Sequence, residues 1–547
     1  ICQSFPKYKA RTVMKVIPVD YKDINELSKR DVAFIEQNDD LTPFVKRWAS
    51  IEAFKNVIKS KEMHKIDRAL LKDTLLDQYK TIETSTAVTD NINALAEANC
   101  FTIITAHQPS LFTGPLYYFY KICSVINLTK QLKQAYPDYN FVPIFISGGE
   151  DHDFEEINHL HIYNNDIVWN RESTGPVGRL STDGLAELIA EIKDILGSSD
   201  HAEKLVSLLE SSLAASDQYA DVNFRLINEL FKDYGLVYAN MDNAAYKRRL
   251  IPIIKDELRK QSSYTVVNET LEKLSDIGYK SQATPREINL FYLKDDIRER
   301  IIQNGDRYIV NNTEISFSSE EIMALVDDSP ELFSPNVLLR PLYQETIFPN
   351  LAYIGGGGEI AYWVERASQF NHYDIPFPLL IRRNSVMQVN RGAIKQISKT
   401  NYDIVDFIKP DQNLINNFLK VHVSEDIDLS DYKEKIEALY EEIAEKAKAI
   451  QEPLSKFVLA ESTKQIKAVD NIESKLKKAL KSKNEIDINR LTSIRSKLFP
   501  NGGLQERYEN FMMYYAQHGP EWIEQLVEHL DPLNAKFLLM VDEHPAS

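Results

Sequence analysis

Four polar stretches carry the side chains that could do chemistry in this chain. Thr105-Ala-His107-Gln108-Pro-Ser110-Leu-Phe-Thr113-Gly114 mixes donors with turn formers just ahead of a helical pattern. Backbone N–H groups at a helix N-terminus make an anion or phosphate site, and His107, Gln108 and Ser110 add side-chain donors. The plainer reading is a strand-to-helix turn capped by Thr113. No Gly-Lys-Ser/Thr follows, so this is not a Walker loop. Ser147-Gly-Gly-Glu150-Asp151-His152-Asp153 is acidic. It either faces a ligand or binds its own backbone amides. Gly355-Gly356-Gly357-Gly358-Glu359 removes every Cβ from a turn, so a ligand or another backbone can come close. A substitution at Gly357 is then expected to remove ligand binding and leave the fold largely intact. Glu359 suits a helix dipole, or it faces a substrate amine or hydroxyl. Arg382-Arg383-Asn384-Ser385 ends a strand; two adjacent arginines clamp phosphate or carboxylate, or stand solvated.

Each stretch needs an element to position it. Phe101-Thr-Ile-Ile-Thr105 is apolar and β-branched and reads as a buried strand. From Leu116 to Leu132 apolar residues recur at helical spacing, with Lys121 and Lys130 among them. Val142 to Ile146 reads as a second strand. Strand, turn, helix, strand and loop make one βαβ unit, and ligands sit beyond the carboxyl ends of such strands. Residues 20–99 read as amphipathic helices. Residues 159–168 read as a strand, 184–213 as helix, and 219–239 as a helix stopped by Gly235 and then a strand. Residues 246–274 read as helix. Residues 289–293 and 306–310 read as strands of a smaller inserted piece. Strands at 351–354 and 377–381 precede the glycines and the arginine pair. Further on, Ile436, Leu439, Ile443, Ala447 and Ile450 keep coiled-coil spacing in a Glu/Lys background. Pro453 kinks or restarts that helix, and a third helix follows through Leu498. The parse is 14–160 for N-terminal helices and the first half of the core, and 161–335 for a second core unit with an insertion. Residues 336–428 form the second half with the glycine-rich loop, 429–500 a helical hairpin, and 501–547 a segment packing back on the core.

The 547 residues carry a formal charge of −17, which argues against a nucleic-acid partner held by phosphate contacts. An anionic small substrate then needs a local basic pocket. Cys2, Cys100 and Cys123 lack Cys-x-x-Cys spacing and are too few for a disulfide framework. No apolar run reaches membrane-spanning length and no signal-peptide pattern opens the chain, so the expected compartment is the cytoplasm. Met14 begins Met-Lys-Val-Ile-Pro-Val and is the expected native start.

With these segments in view, the chain resembles the bacillithiol biosynthesis cysteine-adding enzyme family (BshC). The matching stretches are Thr113-Gly-Pro-Leu-Tyr with Lys121, Gly149-Glu-Asp-His-Asp with Glu156-Ile-Asn158, Asn289-Leu-Phe-Tyr, Arg340-Pro-Leu-Tyr-Gln-Glu, residues 355–363, Arg382 with Asn384, and Gln505-Glu-Arg507. They span nearly the whole chain from Met14. The resemblance implies an α/β fold: a Rossmann-like parallel sheet similar to class I aminoacyl-tRNA synthetases, connecting-peptide insertions, and a C-terminal α-helical coiled coil that promotes dimerisation. It implies a ligase that adds cysteine to glucosaminyl-malate through an amide, with ATP as the expected activator and no metal implied. Family members often show Gly-Gln-Gln where this chain has Ala106-His107-Gln108. His107 also resembles the histidine of the synthetase signature loop, and its role stays open.

By the same resemblance, Asp151, His152 and Asp153 are the catalytic candidates, with His152 as general acid/base or metal ligand. Glu150, Gln108, Arg340, Gln344, Glu345, Glu359, Tyr362 and Trp363 are the substrate-binding candidates. His107, Ser110, Thr113, Gly114, Gly355, Gly356, Gly357, Gly358, Arg382, Arg383 and Asn384 are the candidates for nucleotide. Arg340 and the two strand-end arginines serve phosphate or malyl carboxylates. The competing reading is a dimeric nucleotide-binding regulatory or scaffold protein with a degenerate site. A substrate-dependent thiol product separates the two. A tRNA-charging enzyme is disfavoured by the acidic charge and by the lack of a Lys-Met-Ser-Lys-Ser loop.

Overall fold

The computed structural model describes residues 13–294, 296–422 and 428–543. Residues 1–12, set apart above from the expected start at Met14, lie outside the described residues, as do 423–427 at the end of the 336–428 segment.

The apolar run Cys100–His107 forms strand β1, buried along almost its whole length. Successive side chains alternate between two faces. Phe101 and Ile103 join one apolar cluster with Val125 and Leu351. Ile104 and Ala106 join the other with Ile144 and Tyr238. A strand covered on both faces needs a continuous apolar run, which is what this stretch supplies. Helix α1, Tyr117–Ala135, carries the chain to β2, Asn140–Ser147, which pairs with β1 in parallel from Cys100↔Asn140 to His107↔Ser147. Strand β3, Val237–Asn240, adds to β2. On the far side of β1 lies β4, Asn350–Gly355, then β5, Leu379–Arg382. The order is β5-β4-β1-β2-β3, all parallel. The chain therefore works outward from β1 in both directions. Between β1 and β4 the loops diverge, and a crevice opens at the carboxyl ends. The Rossmann-like expectation holds.

The inserted piece is a five-stranded antiparallel sheet that includes Leu290–Lys294, Ile297–Asn304 and Phe333–Pro335. A third sheet pairs Val13–Val19 and Val386–Val389 with Phe537–Glu543.

Three elements differ from the sequence expectation. Residues 159–168 are not one strand but a hairpin, because Tyr163 and Asn164 turn the chain at φ 50° and 71°. Residues 184–213 split at Gly197, with φ 73°, and Ser199 caps the second helix. Residues 246–274 split at Gln261, with φ 53°.

The chain falls into two compact units, one built on Glu26–Val389 with the chain from Gly503 onward, the other on Asn390–Gly502. The second unit holds α2, Ser430–Ile450, α3, Glu452–Lys483, and α4, Glu485–Leu498. Gln451 is extended and Pro453 stands in the first turn of α3, so the proline restarts the helix rather than kinking it. Lys433 of α2 pairs with Asp470 and Glu473 of α3. Helices Arg391–Ile397 and Asp411–His422 pack on α4, so this unit begins well before residue 429. No helix among the described residues is long and apolar enough to cross a membrane.

The glycine run is not a flexible loop. Gly355 ends β4, Gly356 is an N-cap, and Gly357 and Gly358 lie in the first turn of the helix Gly357–Val364. A Cβ on Gly357 would lie 2.4 Å from the Asp31 carboxylate, whereas one on Gly358 meets nothing within 4 Å. Asp31 is buried and accepts from the Arg382 Nε at 2.9 Å and Nη2 at 3.1 Å. The bare backbone at Gly357 thus admits a structural ion pair rather than a ligand. Gly357→Val should push Asp31 off Arg382 and cost about 3–5 kcal/mol, the range for a buried pair broken on one side. Gly358→Ala should stay within about 1 kcal/mol of wild type. Urea unfolding of both variants checks this; equal midpoints would mean that Asp31 steps aside freely.

Candidate active site

Five parallel strands end on one edge, and a cleft of about 390 Å³ opens there. His107 and Gln108 enter from the end of β1, residues 147–151 from β2, and Met241 from just beyond β3. Tyr353 comes from β4, Glu359 and Tyr362 from the helix after it, Arg340 from Arg340–Ile347, and Arg298 from the insertion.

Beneath the cleft lies an ion pair. Side chains on a helix lean toward its N-terminus, so Lys121, one turn into α1, reaches back. Its Nζ donates to the Ala106 carbonyl at 3.0 Å and stands 2.5 Å from the Glu359 carboxylate. Glu359 also accepts from the Gly356 N–H at 2.9 Å and the Tyr353 hydroxyl at 2.7 Å. Burial works against the Glu359 charge, but Lys121, His107 and the Gly356 hydrogen bond outweigh it and hold the carboxyl down to about 2. Burial pushes Lys121 down to about 8, with Glu359 opposing. Burial, with Lys121 adding to it, pushes His107 down to about 4, so its imidazole is neutral at pH 7. His107 Nδ1 faces the Gln108 carbonyl at 3.0 Å. A carbonyl only accepts, so Nδ1 carries the proton and Nε2 keeps a lone pair. The Tyr117 ring stands 5.2 Å from His107 and 5.5 Å from the Arg383 guanidinium. Lys121 did not enter the sequence-derived site; its signal was a lysine set among apolar residues at helical spacing.

The acidic loop divides residue by residue. Glu150 is buried, 2.7 Å from Lys247, and accepts from the Ser334 hydroxyl; burial pushes its carboxyl up, with Lys247 opposing. Asp151 lines the cleft and accepts from Gln108 Nε2 at 2.7 Å, Arg298 Nη1 at 3.1 Å and the His152 N–H at 2.8 Å. His152 and Asp153 do not line it. His152 is half-exposed, with Nδ1 2.5 Å from Arg298 Nη1. Asp153 is exposed ahead of the short helix Phe154–Ile157. Glu156, which sequence reasoning passed over as a site residue, does line the cleft, and burial together with Asp153 and Asp151 pushes its carboxyl up.

Of the substrate candidates, Gln108, Glu150, Arg340, Glu359 and Tyr362 line the cleft. Arg340 donates to the Tyr362 hydroxyl at 2.8 Å and to Gln344 at 3.2 Å. Gln344 and Glu345 are buried, and Glu345 pairs with Lys61 at 2.5 Å. Trp363 is core, stacked on Tyr353 at 4.5 Å.

Most nucleotide candidates have structural partners instead. Ser110, Thr113 and Gly114 are buried. Asn223 donates to the Ser110 carbonyl and Asn510 to the Gly114 carbonyl, so the loop is pinned into the core and is no open phosphate cradle. Arg382 is held by Asp31. Arg383 donates to both Glu506 oxygens, at 2.7 and 2.9 Å. Asn384 donates to the Asp531 carbonyl. Neither arginine is a free clamp for phosphate. Among the described residues no three His, Cys, Asp or Glu side chains are grouped so as to hold a metal ion.

Comparison with known proteins places these features. Residues 14–384 match the model of the Bacillithiol biosynthesis BshC, N-terminal Rossmann-like domain. Residues 386–541 match that of the Bacillithiol biosynthesis BshC, C-terminal coiled-coil domain. A relative from Flavobacterium johnsoniae, named "Putative cysteine ligase BshC", is 43% identical over 95% of this chain and 98% of its own. Relatives of the same name from Christiangramia forsetii and Bacillus cytotoxicus are 40% and 28% identical, over 95% and 87% of this chain and 98% and 91% of theirs. A solved chain described as a "putative arginyl t-RNA synthetase" from Campylobacter jejuni aligns over 85% of this chain and 98% of its own, at 10% identity and a TM-score of 0.19. With residues 14–384 and 386–541 matched to one family's two domains, the chain belongs to the bacillithiol biosynthesis BshC family.

Proposed function

We propose that this chain is a ligase that joins L-cysteine to glucosaminyl-malate through an amide bond. The observation that carries this reading is the cleft-lining Asp151, fixed by Gln108 and Arg298, in a chain whose relatives are named as cysteine ligases. Amide formation from a free acid is uphill in water, so the cysteine carboxyl needs activation, and ATP is the co-substrate we propose for it: a carboxyl oxygen takes a phosphoryl or adenylyl group, and the amine then displaces it as phosphate or AMP. Its phosphates would meet Arg340, which lines the cleft. The attacking amine must lose a proton to a base within hydrogen-bond reach. Glu359 is a poor acceptor, since its carboxyl is held to about 2; it acts as a fixed charge. Asp151, oriented by three donors and open to the cleft, takes the proton.

One observation favours the scaffold reading: the loop and arginines expected to grip a nucleotide are occupied by the fold itself. Formation of a cysteine-dependent product decides between the two readings. We further propose a cytoplasmic homodimer formed through the helical unit. Leu439, Ile450, Phe457 and Ile472 of α2 and α3 are exposed apolar side chains, a surface that suits a second copy.

Three outcomes follow. Asp151→Asn should slow product formation about 10²- to 10⁴-fold, whereas His152→Ala, outside the cleft, should lose less than about tenfold. Mass spectrometry of initial rates reads both, and equal losses would return the histidine to the chemistry. Lys121 carries its proton below about 8 and loses it as pH rises through that value, leaving Glu359 without its counter-charge. Affinity for an anionic acceptor should therefore fall as pH rises through about 8, and Lys121→Met should flatten that limb; an unchanged pH profile in the variant would separate the pair from binding. Finally, an Ile450→Glu, Phe457→Glu variant should run as a monomer in light scattering, and a persistent dimer would place the interface elsewhere.

A further inference from the structure

A second chamber of about 300 Å³ adjoins the cleft and shares Asp151, Arg298, Asn336 and Val337 with it. Its walls carry three arginines, Arg286, Arg298 and Arg300, together with His152, against the single carboxylate of Asp151. In a chain of net charge −17 this is a local reversal of sign. Arg298 and Arg300 lie two residues apart on the strand Ile297–Asn304, so they share a face. Arg298 is 8% exposed and packs its guanidinium over the Phe291 ring at 4.1 Å, which fixes the plane of its donors. Phe291 is the cross-strand partner of Arg300. Arg298 is committed to Asp151, His152 and Ser334. Arg286 and Arg300 make no ion pair or side-chain hydrogen bond among the described residues.

We propose that this chamber binds a dicarboxylate and that, given the ligase reading on which this rests, it seats the malyl end of the acceptor. Guanidinium forks match carboxylates in paired hydrogen bonds. Two arginines left over after Asp151 is neutralised suit two carboxylates. Direction favours a dicarboxylate over nucleotide phosphate. The chamber meets the cleft at Asp151 and Arg298, and its wall takes Leu290, Phe291, Arg298 and Arg300 from the insertion and no residue from β1 or β4. An acceptor with its anionic end here presents its amine beside Asp151, where a proton must be taken. Arg340, expected from the sequence to hold the malyl carboxylates, lies in the cleft proper.

The test is calorimetry on the full chain with three probes: L-malate, glucosaminyl-malate and ATP. Arg286 is exposed and Arg300 partly so, so Arg286→Gln and Arg300→Gln should leave the fold intact, as circular dichroism will verify. The double variant should bind both malyl compounds at least tenfold more weakly and ATP as wild type does, with Arg300→Lys in between. Wild-type malate affinity in the double variant overturns the proposal. So does a loss confined to ATP, or a wild-type protein that binds neither malyl compound. If the wild type makes no thiol product yet binds malate, and the double variant does not, the ligase reading fails and the dicarboxylate site stands.

Discussion

Two full charges buried at the end of one strand hold this molecule's working edge in place. The Arg383 N–H donates to the Gly355 carbonyl, so the ends of β5 and β4 are tied together there. Its guanidinium pairs with Glu506, brought in by the segment that returns after the helical unit. The same guanidinium lies against the Tyr117 ring at the start of α1, and one turn on, Lys121 reaches Glu359. Burying charge is costly, and a pair of this kind persists only with close geometry and further hydrogen bonds. Glu506 supplies them, accepting also from the Ser385 hydroxyl and the Val386 N–H. Removing either partner would leave the other charge buried and uncompensated. Strand ends, helix start and returning segment are therefore fixed as a unit, and the cleft is what that unit encloses.

Within this frame, the carboxylates near the cleft are driven apart in acidity by their neighbours. Glu359, between a lysine and a helix N-terminus, stays ionised down to about 2. Glu150 and Glu156 are pushed the other way by burial, the first against Lys247, the second with Asp151 and Asp153 adding to it. Titratable groups whose environments separate their acidities mark acid–base assignments. Here the separation distinguishes a permanently ionised carboxylate from two carboxyls that burial pushes up, all three lining one cleft. His107 belongs with the fixed groups: neutral at pH 7, its Nδ1 proton committed to a carbonyl, it presents an acceptor and no charge.

What the sequence revealed follows distance along the chain. Strand-end loops are local features, so His107, Gln108, Asp151, Glu359 and Tyr362 could be picked from apolar runs and the polar stretches after them, and they do meet in one cleft. The partners of Arg382 and Arg383 lie 351 and 123 residues away. No spacing rule links such positions, so a structural ion pair and a phosphate clamp look alike in sequence. Gly357 was misread for the same reason: its close neighbour is Asp31, packed there by an N-terminal helix whose amphipathic pattern does not say where it docks. Asp151 and His152 illustrate the opposite limit. They are adjacent, yet one lines the cleft and the other only the side chamber, because the direction of each side chain in an irregular loop depends on Gln108 and Arg298 from elsewhere in the chain.

The placement of charge also bears on selectivity. A net charge of −17 sets up a field that repels polyanions and disfavours loose binding of small anions across the surface. Arginines that are buried and paired, such as Arg382 and Arg383, add little to that outer field, since each is offset by a carboxylate within hydrogen-bond reach. Arg286, Arg298 and Arg300 around the side chamber form a small region of the opposite sign, whereas the cleft itself sets Glu150, Asp151, Glu156 and Glu359 against Arg298 and Arg340. An anion small enough to enter meets several guanidinium donors at once, and water screens the buried one, Arg298, less. A nucleic-acid backbone meets the acidic exterior first, and each phosphate it brings adds to the repulsion. The same acidic balance thus works with a local basic chamber to admit a small acid and to turn away a large one.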